Sequence, residues 1–171
     1  MAIRRAVLGK RQDILIEAVP RLRRMAALAA DDVNNTPAKL DALQQAARAH
    51  DVELSIHRVT KAEEIAVVID SAHTSGATAL NILASPLFFT HAHLIMERAT
   101  AVRIPVMFFF PEEAEEGAFA AYGPSLNQLF LGVTTQQIIK LLHGTKVAEI
   151  PVEQPTKFEL VSISRPLRRW V

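Results

Sequence analysis

The fold this sequence predicts is α/β, a three-layer α-β-α arrangement around a mostly parallel sheet. Three observations predict it. Short apolar runs recur at Arg24–Ala30, Val52–Val59, Thr78–Ala84 and Ile104–Phe110. Segments with the apolar spacing of helices separate them, and turn-forming residues punctuate the boundaries. Each strand is therefore followed by a crossover, and that alternation implies parallel strands, helices on both faces and right-handed connections. At 171 residues, 50% of them hydrophobic, the chain has the length for one α/β domain over residues 1–171 with its own core, residues 150–171 forming an extended C-terminal arm.

Taken in order, Ile14, Leu15 and Val19 lie near one face of a short helix over 10–19, which Pro20 stops. Arg24–Ala30 is a small-residue strand ended by the turn Asp31-Asp32-Val33-Asn34-Asn35. Thr36-Pro37 supplies a cap and a proline at the first helical position, and Leu40, Leu43, Ala46 and Ala47 mark the inner face of a helix to about His50. Val52, Leu54 and Ile56 alternate with Glu53, Ser55 and His57, the period of a strand with one wetter face. Thr60 with Glu63 reads as a capping box, Ile65, Val68, Ile69 and Ala72 as a helical stripe, and Gly76 as the helix end.

Thr78–Ala84 is a strand covered on both faces. Ser85-Pro86 leads into a helix over 88–101, and Ile104–Phe110 is the next buried strand. Pro111-Glu112-Glu113 starts a short helix with carboxylates at its positive end. Ala118–Tyr122 is a brief strand. A helix then carries Leu126, Leu129, Phe130, Val133, Ile138, Leu141 and Leu142. Pro151 and Pro155 forbid helix, so the chain runs extended into a strand at Phe158–Val161. The predicted core includes Leu28, Leu54, Ile56, Ile65, Val68, Leu80, Ile82, Val106 and Phe108.

Composition removes several classes of function. A formal charge of +1 gives no general attraction to polyanions. Arginines do gather towards the ends (Arg4, Arg5, Arg11, Arg21, Arg23, Arg24, Arg165, Arg168 and Arg169), but no aromatic ladder accompanies them, so they read as solvated tails and no nucleic-acid partner is implied. Without cysteine there is neither disulfide nor thiolate chemistry. Lys10, Arg11, Asp13 and Glu17 interrupt any apolar segment of a signal peptide. No apolar run approaches a membrane span.

The chemistry-bearing residues are few. Ligands of open parallel sheets bind beyond the carboxyl ends of the strands, which selects Asp31, Thr60, Ser85, Phe110 and Tyr122. Tyr122 either stacks on a small ligand or closes the sheet edge, and Ser85 alternatively caps the turn before Pro86. His91 and His93 diverge by about 200° on a helix, so they share no face and imply no metal. Glu112, Glu113, Glu115 and Glu116 read as an acidic helix start rather than a cation site. Ser75 and Ser125 lack a nucleophile-elbow context, and no Walker loop or G-x-G-x-x-G motif is present. The residues imply no cofactor and no catalytic group. A flavodoxin-like small enzyme using the same strand ends, and a lobe serving only protein–protein assembly, stand as alternatives to a binding module.

Gly144-Thr145-Lys146 followed by Pro151-Val152-Glu153-Gln154-Pro155-Thr156-Lys157-Phe158-Glu159-Leu160-Val161 resembles the C-terminal signature of ABC-transporter substrate-binding proteins of the tryptophan/tyrosine type. Further pieces follow in the same order through nearly the whole chain. Ala46-Ala47-Arg48-Ala49-His50-Asp51-Val52-Glu53-Leu54 is similar to that family's A-A-R-x-x-G-(V/L)-x-L segment. Ser85-Pro86-Leu87-Phe88 resembles its D-P-L-F, Arg103-Ile104-Pro105-Val106 its R-L-P-A/V, and Tyr122-Gly123-Pro124 its Y-G-P.

The resemblance implies one lobe of a type 1 periplasmic binding protein, the second, with no counterpart of the first lobe. It implies a small organic solute, such as an amino acid, bound without catalysis. The partner implied is an ABC permease, and the location periplasmic or at the cell envelope; a native start at Met1 predicts the cytoplasm instead. The same five loops become the second lobe's wall of the ligand cleft. Ser85 stands where the family often has Asp, which removes a charge suited to a ligand ammonium. Without a first lobe, the apolar face of the 126–142 helix lacks its cover, and a homodimer is expected to supply it.

Overall fold

The computed structural model describes residues 2–115, 117–153, 155 and 157–162. Its elements are α1 (Ala2–Ala18), β1 (Arg24–Ala30), α2 (Pro37–Arg48), β2 (Glu53–Val59), α3 (Glu64–Thr74), β3 (Leu80–Ile82), α4 (Pro86–Thr90), α5 (Ala92–Ala101), β4 (Val106–Phe108), α6 (Pro111–Glu115), β5 (Ala120–Gly123), a π-helical stretch (Gln128–Thr134), α7 (Thr135–Leu142) and β6 (Glu159–Ser162). One six-stranded sheet holds them in the order β2-β1-β3-β4-β5-β6. The first five strands are parallel, and β6 returns antiparallel along β5. This is the three-layer α/β architecture that the alternation of runs predicts.

Strand periodicity divides the core in two. Ala26, Leu28, Ala30, Leu80, Ile82, Val106 and Phe108 face α3 and α5, packing on Ile65, Ile69, Ile95 and Ala99. Met25, Ala27, Ala29, Leu83 and Met107 face α1 and α2, packing on Leu15, Val19, Leu40 and Leu43. The many alanines of β1 let helices approach a strand that is buried on both faces. Of the expected core, Ile56 and Val68 are only partly buried. Ile56 belongs to β2, the sheet edge among the described residues, paired on one side only, with β1.

Several local expectations are corrected. The first helix begins at Ala2, not near residue 10, and Arg11 within it is buried rather than a solvated tail residue. The side chains of Arg4 and Arg5, and residues 165, 168 and 169, lie outside the described part. The helix expected over 88–101 is two helices, because His91 takes φ −110° and ψ 23° between α4 and α5. Thr36 occupies the cap position without a side-chain bond. The capping carboxylate for Thr60 belongs to Glu64, not Glu63, because a turn separates β2 from the helix. The strands expected at 78–84 and 104–110 shorten to Leu80–Ile82 and Val106–Phe108, so residues flanking them become loops. Among the described residues, no helix is long and apolar enough to cross a membrane.

Candidate functional site

Strand β1 pairs with β2 on one side and β3 on the other, so the connections leave it in opposite directions. A crevice opens beyond the strands' carboxyl ends at such a switch point. Here it is a cleft of about 690 Å³ whose lining includes Asn34 and Asn35 after β1, Ser85 after β3, Phe109 and Phe110 after β4, and Pro124 after β5. Phe89, Phe130 and Phe158 complete an aromatic wall, while Lys39 and Glu153 stand at its polar margin. The rings are mutually ordered: Phe110 meets Phe109 edge-to-face at 4.7 Å and Phe89 at 5.7 Å.

Of the five residues selected from the sequence, Ser85 and Phe110 line this cleft and Asp31, Thr60 and Tyr122 do not. Ser85 Oγ accepts the Leu87 N–H at 3.2 Å and so caps α4 as well. Asp31 pairs with Arg58. Thr60 follows the edge strand β2, outside the cleft lining, and both its N–H and hydroxyl go to Glu64. These bonds hold the Glu64 carboxyl below its ordinary value. Tyr122 is half-buried against the α1-side core, with its ring 6.2 Å from that of Phe158.

Sequence reasoning missed Asn34, Asn35, Phe89, Phe109, Phe130 and Phe158. A signal existed for Phe109: three consecutive phenylalanines exceed what alternation along one strand can bury. The asparagines were hidden by their suitability for turns. Asp32 Oδ1 accepts from Asn34 N–H and Asn35 Nδ2, and Asn35 Nδ2 also donates to the Ala30 carbonyl.

The aromatic wall has three supports behind it. Glu113, almost fully buried, accepts the Phe110 N–H at 2.8 Å. Gly123 passes so close that a Cβ there would stand 1.9 Å from the Phe109 carbonyl oxygen. Arg11 reaches under the strand ends from α1: its Nη1 donates to the Ile82 carbonyl at 3.1 Å, and its guanidinium carbon lies 4.9 Å from the Phe109 ring centroid. Burial pushes the Arg11 pKa down to about 10, against the opposing pull of the Glu113 carboxylate. Beside the cleft, Glu112 Oε1 accepts the Ser125 hydroxyl at 2.8 Å and the Asn127 N–H at 3.3 Å, starting the helix that carries Phe130.

Ser55 Oγ and His57 Nε2 are 3.1 Å apart, but they lie on the edge strand and outside the cleft lining. His91 sits at the α4–α5 break and His93 within α5, and among the described residues no three His, Asp or Glu side chains group as metal ligands. A second hollow, of about 350 Å³ at the opposite end of the sheet, gathers Arg21, His73 and Arg103. Helices α1, α3 and α5 end there, so the two arginines answer helix carboxyl termini. What the cleft offers is a preformed aromatic surface with polar groups on one rim, the chemistry of a site that holds a small organic molecule.

The sequence pattern of the ABC transporter substrate-binding proteins matches residues 6–165. The chain belongs to that family. None of the curated proteins compared with it matches. Among solved structures, it is similar to an ABC domain in complex with L-Trp from Streptococcus pneumoniae (17% identity, TM-score 0.77, covering 91% of this chain and 54% of that one). It is also similar to a conserved domain protein from Vibrio cholerae (15% identity, TM-score 0.78, 91% and 52%). A third is the ligand-free, open structure of a substrate-binding protein with adhesive properties from Clostridium difficile (20% identity, TM-score 0.66, 94% and 54%). At these identities the likeness is one of fold. This substrate-binding family member spans about half the length of each of the three.

Proposed function

We propose that this chain is a solute-binding lobe of an ABC importer, and that it holds a small organic solute in the switch-point cleft without transforming it. The observation that carries this reading is the aromatic wall of Phe89, Phe109, Phe110, Phe130 and Phe158 facing the polar groups of Asn34, Asn35 and Ser85. A solute with a flat or apolar body and a polar end fits such a surface, and an aromatic amino acid has both. The L-Trp complex of the similar Streptococcus pneumoniae domain supports that choice of probe. In this reading Ser85 and Phe110 contact the solute, whereas Asp31, Thr60 and Tyr122 shape the loops around it. The lobe works outside the cytoplasm and delivers to an ABC permease. Titration calorimetry with L-tryptophan tests it: saturable heat that Phe110→Ala abolishes is expected, and heat unchanged by that substitution would remove the cleft from the account.

A second reading, assembly through a homodimer, is favoured by one observation. The 126–142 helix buries none of its residues fully, and Phe130, Leu131, Ile138 and Leu142 are exposed by 63%, 75%, 50% and 81%. That amounts to an apolar patch on the order of several hundred Å², more than soluble monomers normally leave uncovered. A second copy packing the same face around a two-fold axis approaches the roughly 800 Å² per partner of a stable interface. Because Leu126, Leu129 and Phe130 of this helix also line the cleft, a partner there would complete one of its walls.

A further inference from the structure

Arg11 is an expensive residue for its position. It has no exposed surface, and burying a cation requires compensation that a hydrophobic residue of similar volume would not. Among the described residues, only one of its nitrogens, Nη1, has a hydrogen-bond acceptor. Its interactions run from α1 to the ends of β3 and β4 and to Glu113 of α6. They converge on the back of the cleft: the carbonyl of Ile82 where β3 ends before Ser85, the ring of Phe109, and the field of Glu113, whose carboxylate receives the Phe110 N–H.

We propose that Arg11 is a positioning residue for solute binding, a buried cation that fixes the Phe109–Phe110 edge-to-face pair and the end of β3 relative to each other. Arg11 does not touch the solute; it acts through Phe109, through the Ile82 carbonyl and through Glu113. The planar guanidinium performs two tasks at once, donating in its plane to a carbonyl while standing near an aromatic ring, which a lysine ammonium cannot reproduce in full. Without it the Phe109 ring keeps its hydrophobic neighbours but loses the contact that selects one orientation, and the cleft must be ordered at the moment of binding. That ordering weakens the complex. The proposal rests on the reading of the cleft as the solute site, and one of its two tests is independent of that reading.

The test uses the full chain with 4-fluorophenylalanine at position 109 and the double variant Arg11→Met/Glu113→Gln. The double variant removes both buried charges together while keeping an acceptor for the Phe110 N–H. The expected result separates stability from function: a thermal midpoint no lower than that of the parent, a displaced or broadened fluorine resonance, and L-tryptophan affinity weakened about tenfold. Arg11→Lys, which keeps the charge, is expected to restore part of the affinity and to leave the resonance intermediate. An unmoved Phe109 resonance in the double variant overturns the proposal. So does a loss of affinity matched by a fall in thermal midpoint, which is the signature of a merely structural residue. Should the double variant not fold, the resonance in Arg11→Lys decides: coincidence with the parent overturns the proposal. If the parent itself does not bind L-tryptophan, the aromatic-solute reading fails, and the resonance still answers whether Arg11 orders the wall.

Discussion

At Gly123 the chain has no space for a side chain, since the Phe109 carbonyl would lie 1.9 Å from a Cβ. Gly123→Ala must therefore move backbone on one of two paired strands, and the strand it moves ends in the aromatic wall. We expect destabilisation of about 1–3 kcal/mol, as for overpacking in a filled core, visible as a lower denaturant midpoint together with loss of solute binding. Glu112 yields a prediction in pH. Burial raises its carboxyl, but hydrogen bonds including those from Ser125 and the Asn127 N–H outweigh that and hold its pKa below the ordinary value of 4.5. A lowered folded pKa means that the unfolded chain binds the proton first as pH falls. The stabilisation is thus complete above the ordinary carboxylate range and lost as pH drops through the folded value. Glu112→Gln should lower stability at neutral pH, where the carboxylate's contribution is complete, and converge on the parent as pH falls below about 4.5, so that the acid limb of stability against pH is flatter. Other residues illustrate how much could be read in advance. Ser85 was legible as a cap, because proline at the first helical position announces a helix start. Arg11 was not, because a basic residue in a charged segment looks solvated until the sheet is known to lie over it.

At the scale of elements, periodicity reveals that a segment is helical and which face is apolar. It does not reveal whether anything covers that face. The 126–142 segment illustrates both halves of this statement. Its leucines and isoleucines predicted a helix, and the structure has one, with a π-helical centre at Gln128–Thr134. There the Thr134 and Thr135 hydroxyls donate to the Leu129 and Phe130 carbonyls, satisfying groups that the wider turn redirects. Assembly through this face is tested by charge. Leu131→Glu with Leu142→Glu, both on exposed positions, should leave the helical signal unchanged and convert a dimer to a monomer by light scattering. A dimer that survives both substitutions places the interface elsewhere, and a parent that is monomeric at high micromolar concentration removes the homodimer altogether. Covering the patch is worth several kcal/mol at roughly 25 cal/mol per Å², before the cost of lost freedom. The break at His91 and the shortened β3 and β4 were less legible, because apolar residues continue past the point where strand pairing stops.

At the scale of the molecule, the parallel sheet and its layers followed from the alternation of runs, while the strand order did not. Order places β1 beside both β2 and β3, and this decides which strand-end loops share a cleft. It brings Asn34, Asn35, Ser85, Phe109 and Phe110 together, and it leaves Thr60, at the end of the edge strand β2, outside the lining. The chain spans about half the length of each of the similar structures, and the solute site proposed for it is the cleft beyond the ends of β1, β3 and β4. The most direct measurement is therefore calorimetric titration of the parent chain and of Phe110→Ala with the common L-amino acids, L-tryptophan first, at a protein concentration where the association state is known. Saturable binding of an apolar or aromatic amino acid is expected, lost on Phe110→Ala while the thermal midpoint stays near that of the parent. Binding indifferent to Phe110, or none to any of these amino acids at millimolar concentration, would contradict the proposed amino-acid site.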